Sequence, residues 1–132
     1  MTTVNSKAMF DCDCQTIWQI VTSLTDYSWR SDISRIDIVS ETEFIEHTPD
    51  GYATTFRVTA SEEPKYWAFD LENDTIKGHW TGSFTAKNGR TEIDFTEIIT
   101  AKKLVMKPFV KGYLKKQQAQ YIADLQQAIA KK

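Results

Sequence analysis

Near residue 102 the chain changes its apolar period, and that change dictates most of what it can fold into. Between residues 35 and 101 large apolar residues recur at every second position, and from Met106 they recur every third and fourth. These are the spacings of one strand face and one helix face. Pro108 suits a first helical turn. Helical spacing then gathers Met106, Val110, Tyr113, Leu114, Gln117, Tyr121 and Ala128 on one broad face, with Leu125 and Ile129 at its margin. A helix of about 24 residues is about 36 Å long, and alone in water it is not stable. Its stripe must be covered, and only the preceding strands offer enough surface.

Those strands are punctuated clearly. Ile36 and Ile38 alternate with Arg35 and Asp37, Ser40-Glu41-Thr42 turns into residues 43–48, and Pro49-Asp50-Gly51 is a strong turn signal. Thr54, Phe56, Val58 and Ala60 share a face until Glu62-Glu63-Pro64 breaks the run, and Trp67, Phe69 and Leu71 line the next strand. Asn73-Asp74 leads into residues 76–86, where Trp80 and Phe84 are the large residues of one side. Asn88-Gly89 is the best hairpin signal, and after it Ile93 and Phe95 face inward along residues 91–101. Short turns without an intervening helix predict an antiparallel meander. Ahead of it stand a short strand at residues 7–12 and a helix at 14–24, capped by Asp13 and apolar at Ile17, Ile20, Val21 and Leu24. A second short helical turn is expected at residues 27–31.

Bulk properties set the remaining bounds. At 132 residues the chain fits one domain. No apolar run approaches the ~20 residues of a membrane span, and MTTVNSKAMF lacks the basic and apolar regions of a signal peptide. Cytoplasmic residence without integral membrane association is the expectation. Cys12 and Cys14 are too close for an easy disulfide. With only His47 and His79 to join them they form no recognised metal pattern, so both are expected to be reduced structural residues. Residues 102–132 hold eight lysines against the single acid Asp124, a net +7, which leaves −9 for residues 1–101 out of the chain's −2. Such asymmetry fits a basic helix seated on an acidic body, or a basic tail that seeks membrane or nucleic acid. Nucleic acid is the poorer fit, because the lysines lack the interleaved aromatic stripe that stacks bases.

The element order resembles the START-like, birch-pollen-allergen-like helix-grip superfamily, and within it the bacterial polyketide cyclase/dehydrase and lipid-transport (SRPBCC) group. Ile17-Trp18, Leu24-Thr25-Asp26-Tyr27, Trp29, Ile33 and Ile36 look like the opening pattern of that group. Gly89-Arg90-Thr91-Glu92-Ile93-Asp94-Phe95 looks like its Gly-x-Thr-x-apolar-x-aromatic strand. The likeness covers about residues 5 to 130. The pollen-allergen branch has a glycine-rich loop where this chain has Ser40-Glu41-Thr42. The resemblance implies a single α+β helix-grip domain over residues 1–132. A curved antiparallel sheet of about seven strands would wrap the long C-terminal helix, with two short helices after the first strand. It also implies a cavity between sheet and helix that accepts a small hydrophobic or amphipathic molecule, lipid-, aromatic- or polyketide-like. It implies no cofactor.

In that frame Phe56, Val58, Trp67, Trp80 and Phe95 would line one wall, and Phe109, Tyr113 and Gln117 would close the other. The aromatic side chains that could line a cavity could equally fill a core. Gly78 and Gly82 flank Trp80 on its own face, either opening space for a ligand or letting the sheet curl. Glu97 follows Ile93 and Phe95 in phase. It is either an inward carboxylate that could move a proton or hold a polar head, or it is swung to solvent by a bulge. Tyr113, Gln117 and Tyr121 bring polar atoms to the helix stripe, as contacts to a ligand or to water and backbone. Three functions follow. They are a small-molecule binder, a cyclase- or dehydrase-type enzyme with Glu97 as acid/base and Tyr113 as helper, and an interaction module using the lysine-rich helix to meet a protein partner or anionic lipid.

Overall fold

Alternation produces six consecutive strands in the computed structural model, which describes residues 1–131: β2 (Arg35–Ile38), β3 (Glu43–His47), β4 (Ala53–Glu62), β5 (Tyr66–Glu72), β6 (Ile76–Lys87) and β7 (Arg90–Ala101). Each pairs antiparallel with the next. Asn88 and Gly89 take positive φ values of 53° and 81° at the β6–β7 hairpin, as a tight turn of this kind requires. β1 (Thr2–Phe10) lies along β7, from Thr2 opposite Ile99 to Phe10 opposite Thr91. The sheet order is therefore β1-β7-β6-β5-β4-β3-β2. β1 starts five residues before the strand expected from residue 7, because its inward positions Val4, Ser6 and Ala8 include one large apolar side chain only.

α1 (Cys14–Thr22) starts under Asp13, whose carboxylate accepts a hydrogen bond from the Thr16 amide at 2.8 Å. It buries Ile17, Trp18, Ile20 and Val21. The second short helix expected at residues 27–31 is absent. Instead one turn closes, with the Arg30 amide donating to the Tyr27 carbonyl at 3.0 Å. Long-range bonds replace helical ones there: the Ser31 amide and hydroxyl donate to Asp124, at 2.9 and 2.7 Å.

α2 (Lys107–Ala130) has the expected 24 residues and a proline in its first turn, after a 3-10 turn at Leu104–Met106. It lies chiefly against β1, with further contacts to β7 and α1. Its buried line is Val110, Leu114, Gln118, Asp124 and Leu125. The stripe is thus rotated from the one read by spacing. Leu125, expected at the margin, is fully buried, whereas Phe109 and Tyr113 are 71% and 64% exposed. Covering Leu114 and Leu125 supplies about 1.5–3 kcal/mol per side chain, which fastens the helix to the sheet.

This geometry predicts opposite costs on one helix. Leu125→Ala should lower stability to urea by about 2–5 kcal/mol, and Phe109→Ala should change it by less than about 0.5 kcal/mol. Equal losses at the two positions would show that α2 is rotated from this placement.

Candidate functional site

β7 turns Thr91, Ile93, Phe95, Glu97 and Ile99 inward, and no bulge interrupts its pairing. Four of these are buried, with Ile93 and Ile99 at 0% exposure. Glu97 is half-buried, set between Val4 of β1 and Trp80 of β6. The carboxylate therefore faces the helix side of the sheet. Gln118 of α2 reaches it from above, its Nε2 donating to Glu97 Oε1 at 3.3 Å. The same amide donates to the Val4 carbonyl at 3.4 Å and accepts from the Ser6 hydroxyl. One side chain thus ties helix, β1 and β7 together.

Beside Glu97 the inner face is aromatic. Phe69 stacks on Trp80 at 4.8 Å, Trp80 meets Phe95 at 4.8 Å and Trp67 at 6.0 Å, and Phe56 meets Phe69 edge-on at 5.1 Å. Phe44 stacks on Phe56 at 5.1 Å. Phe56, Trp67, Trp80 and Phe95 are brought into this cluster, while Val58 is half-buried at its edge. Gly78 and Gly82 do not open space for a ligand. A Cβ on Gly82 would strike the Trp80 ring, and one on Gly78 would strike Ile99 and the Ile98 carbonyl. The glycines admit close packing.

A second polar group lies past Phe95. Tyr121 stands edge-on to Phe95 at 6.0 Å and to Trp29 at 5.3 Å. The Arg30 guanidinium sits 5.2 Å from the Tyr121 ring centroid, within cation–π range. Arg30 grips two carboxylates, Glu46 through Nη1 at 2.6 Å and Asp32 through Nη2 at 2.8 Å. Burial opposes its charge, but Glu46 and Asp32 outweigh burial and hold it protonated. Burial also raises the Tyr121 hydroxyl well above the ordinary tyrosine range.

Glu97 differs, because among the described residues no cation pairs with it. Burial lifts its pKa from 4.5 to about 7, the Gln118 hydrogen bond pulls the other way, and the Glu46 charge adds to the rise. Such a carboxyl is half protonated near neutrality and can donate or accept a hydrogen bond.

Two half-open clefts flank the cluster. One, of about 370 Å³, is lined by Trp18, Thr22, Leu24, Val58, Trp67 and neighbouring polar residues. The other, of about 470 Å³, lies between α1 and the end of α2, against Ile20, Trp29, Ser31 and Asp124. Val58 and Trp67 reach the first; Glu97 lines neither. Of the helix residues expected to close a cavity, Phe109 and Tyr113 are exposed and Gln117 is half-buried. Gln118, one position on, holds the inward place. Its signal was the spacing of Val110, Leu114 and Leu125, which centres the stripe on residue 118. Arg30 carried no periodic signal, whereas Glu46 shares its phase in β3 with Phe44.

The Glu97 carboxyl should titrate with a midpoint near pH 7 by NMR, and Gln118→Leu should raise the midpoint by removing a bond that favours the anion. Because its folded pKa exceeds the unfolded 4.5, its contribution to stability is complete below pH 4.5 and is lost as pH rises through 7. The loss should be about 3 kcal/mol and absent in Glu97→Gln. A folded midpoint near 4.5 would contradict this environment.

The comparisons with known proteins agree with this geometry. A START superfamily protein from Mycobacterium smegmatis superposes with a TM-score of 0.88 at 15% identity, covering 98% of this chain and 97% of that one. A conserved protein from Geobacillus kaustophilus gives 0.85 at 13% identity, covering 98% and 96%. A protein from Mesorhizobium loti gives 0.83 at 14% identity, covering 98% of both. These likenesses establish the helix-grip fold. No curated protein sequence matches the chain. The sequence profile described as "Polyketide cyclase / dehydrase and lipid transport" matches residues 1–130, and the chain belongs to that family.

Proposed function

We propose that this protein binds one small amphipathic molecule between the inner sheet face and α2, with its polar head at Glu97 and Gln118. The observation that carries the reading is an inward carboxyl without a cation partner in a wall of aromatic side chains. Ligand sites combine apolar walls with a few convergent polar groups, and Trp80, Phe95, Glu97 and Gln118 supply both. The cleft at Val58 and Trp67 offers the apolar part of the molecule a way toward Trp80. Burying that part against rings contributes about 25 cal/mol per Å². The carboxylic acid form of Glu97 would donate to a ligand carbonyl or hydroxyl, and the carboxylate would accept from a hydroxyl or pair with an amine.

The family description, which includes cyclase and dehydrase chemistry, gives a second reading, and the Glu97 environment favours it. An acid with a pKa of about 7 is matched to proton transfer at neutral pH. In that case Glu97 moves the proton, and Tyr113, although exposed, is the candidate helper.

Native mass spectrometry, followed by denaturing extraction of whatever is bound, tests the first reading. Tryptophan fluorescence titration with dodecanoic acid, dodecylamine and 2-naphthol supplies the panel. Saturable binding of at least one probe, weakened about tenfold by Glu97→Leu, is expected from the loss of one charge-assisted hydrogen bond. An apo mass together with a flat titration across the panel would overturn the proposal. In the second reading Glu97→Gln abolishes turnover of an identified ligand while its binding survives.

A further inference from the structure

We infer that the start of α2, with the 3-10 turn before it, docks on an anionic lipid surface. Leu104, Val105, Phe109 and Tyr113 are 78%, 74%, 71% and 64% exposed. Phe109 and Tyr113 are four residues apart on α2 and so share one side of it, about 6 Å apart along the axis, and Leu104 and Val105 stand in the 3-10 turn that leads into it. Between Phe109 and Lys116 the helix surface is open, since a Cβ on Gly112 would meet nothing within 4 Å. Exposed large apolar residues gathered in one patch mark an interaction site rather than ordinary surface.

Charge identifies the occupant. Lys116 is three residues beyond Tyr113 and stands beside this apolar ridge, Lys102 and Lys103 precede it in the chain, and Lys107, Lys111 and Lys115 lie on the opposite flank of the helix. No acid occurs between Glu97 and Asp124, so the whole segment is basic. Lys102 pairs with Glu72 at 2.7 Å, and the other five form no ion pair among the described residues. Protein interfaces favour arginine and deplete lysine, yet the basic residues of this segment are lysine alone. Lysine stems lie along apolar surface while their ammonium groups reach anionic headgroups. The −9 carried by residues 1–101 would be repelled by the same membrane, which orients the molecule with the α2 ridge down. No helix among the described residues is long and apolar enough to cross a membrane. The contact is therefore interfacial, with the ridge at headgroup depth and both apolar and electrostatic attraction needed for stable binding.

The inference is independent of the ligand reading, and vesicles test it directly. Full-length protein should co-sediment with phosphatidylcholine vesicles containing about 30% phosphatidylserine at 50 mM salt. It should bind pure phosphatidylcholine at least tenfold more weakly, and 500 mM salt should release it. Val105→Ser with Phe109→Ser should weaken binding about tenfold without changing the circular dichroism spectrum, because both residues are exposed. Lys103→Gln with Lys116→Gln should weaken it about twenty-five-fold at low salt, at about fivefold per lysine. Failure to sediment with the phosphatidylserine vesicles at 50 mM salt would overturn the inference. Binding that depends on the lysines and ignores the serine pair would overturn it too, as unspecific charge attraction.

Discussion

Everything else in this molecule depends on the burial of one side of α2. The strands form a sheet without it, but that sheet would leave Ile93, Phe95 and Ile99 facing water. Leu114 and Leu125 are 2% and 0% exposed, and they close the inner face mainly over β1 and β7. β1 lies at this end of the sheet because its polar inward residue has a partner there: the Ser6 hydroxyl meets Gln118. The order β1-β7 thus brings the first and last strands together under the last helix. The grip holds at one edge and leaves the β2–β4 side to the loop carrying Trp29 and Arg30.

That arrangement explains how polar groups survive inside. A buried charge is costly unless paired, and Arg30 meets the requirement with two carboxylates and the Tyr121 face. This cluster is a structural joint. It fastens the loop after α1 to β3, as Asp124 fastens the same loop to α2 through Ser31. Glu97 meets the requirement only in part, through a neutral amide at 3.3 Å, and its raised pKa is the physical expression of the deficit. Structural economy would place an isoleucine there, in step with Ile93 and Ile99. The position costs stability above pH 7 and returns one long contact to the helix amide, and this imbalance is the physical ground for setting the proposed ligand head there.

The strands were legible because large apolar residues recur at alternate positions along them and each turn carries a residue with conformational reason to be there. Asn88-Gly89 and Pro49-Asp50-Gly51 are examples. β1 was only half legible because Ser6 faces inward, a choice that makes sense only once Gln118 is in view. The helix existed in the sequence, but its rotation did not. Tyr113 is apolar enough to join a stripe by spacing, and only the packed sheet shows it outside, with Phe109 exposed beside it. The turn at residues 27–31 failed as a helix for the same reason. The local helical turn competes with the bonds from Ser31 to Asp124 and from Arg30 to Glu46, and the long-range bonds win. Glu97 could be located by phase alone, but its environment could not, because the amide above it comes from 21 residues away.

The two faces of α2 therefore do different physical work, and the sequence separates them by side-chain type. On the buried line, apolar residues alternate with the two polar groups that have partners inside, Gln118 and Asp124. On the outer side, the large apolar residues at 105, 109 and 113 stay mostly exposed, in a segment that carries lysines and no acid. A helix needing only to cover the sheet would carry small or polar residues outside, as its second half does at Ala119, Ala123, Gln126 and Ala130. The cost of exposing Phe109 is borne in the half of the helix that is free of acids, at the end farthest from Asp124. A surface that is both anionic and apolar at shallow depth satisfies the two features together; a purely charged or a purely apolar partner satisfies one and leaves the other without a cause.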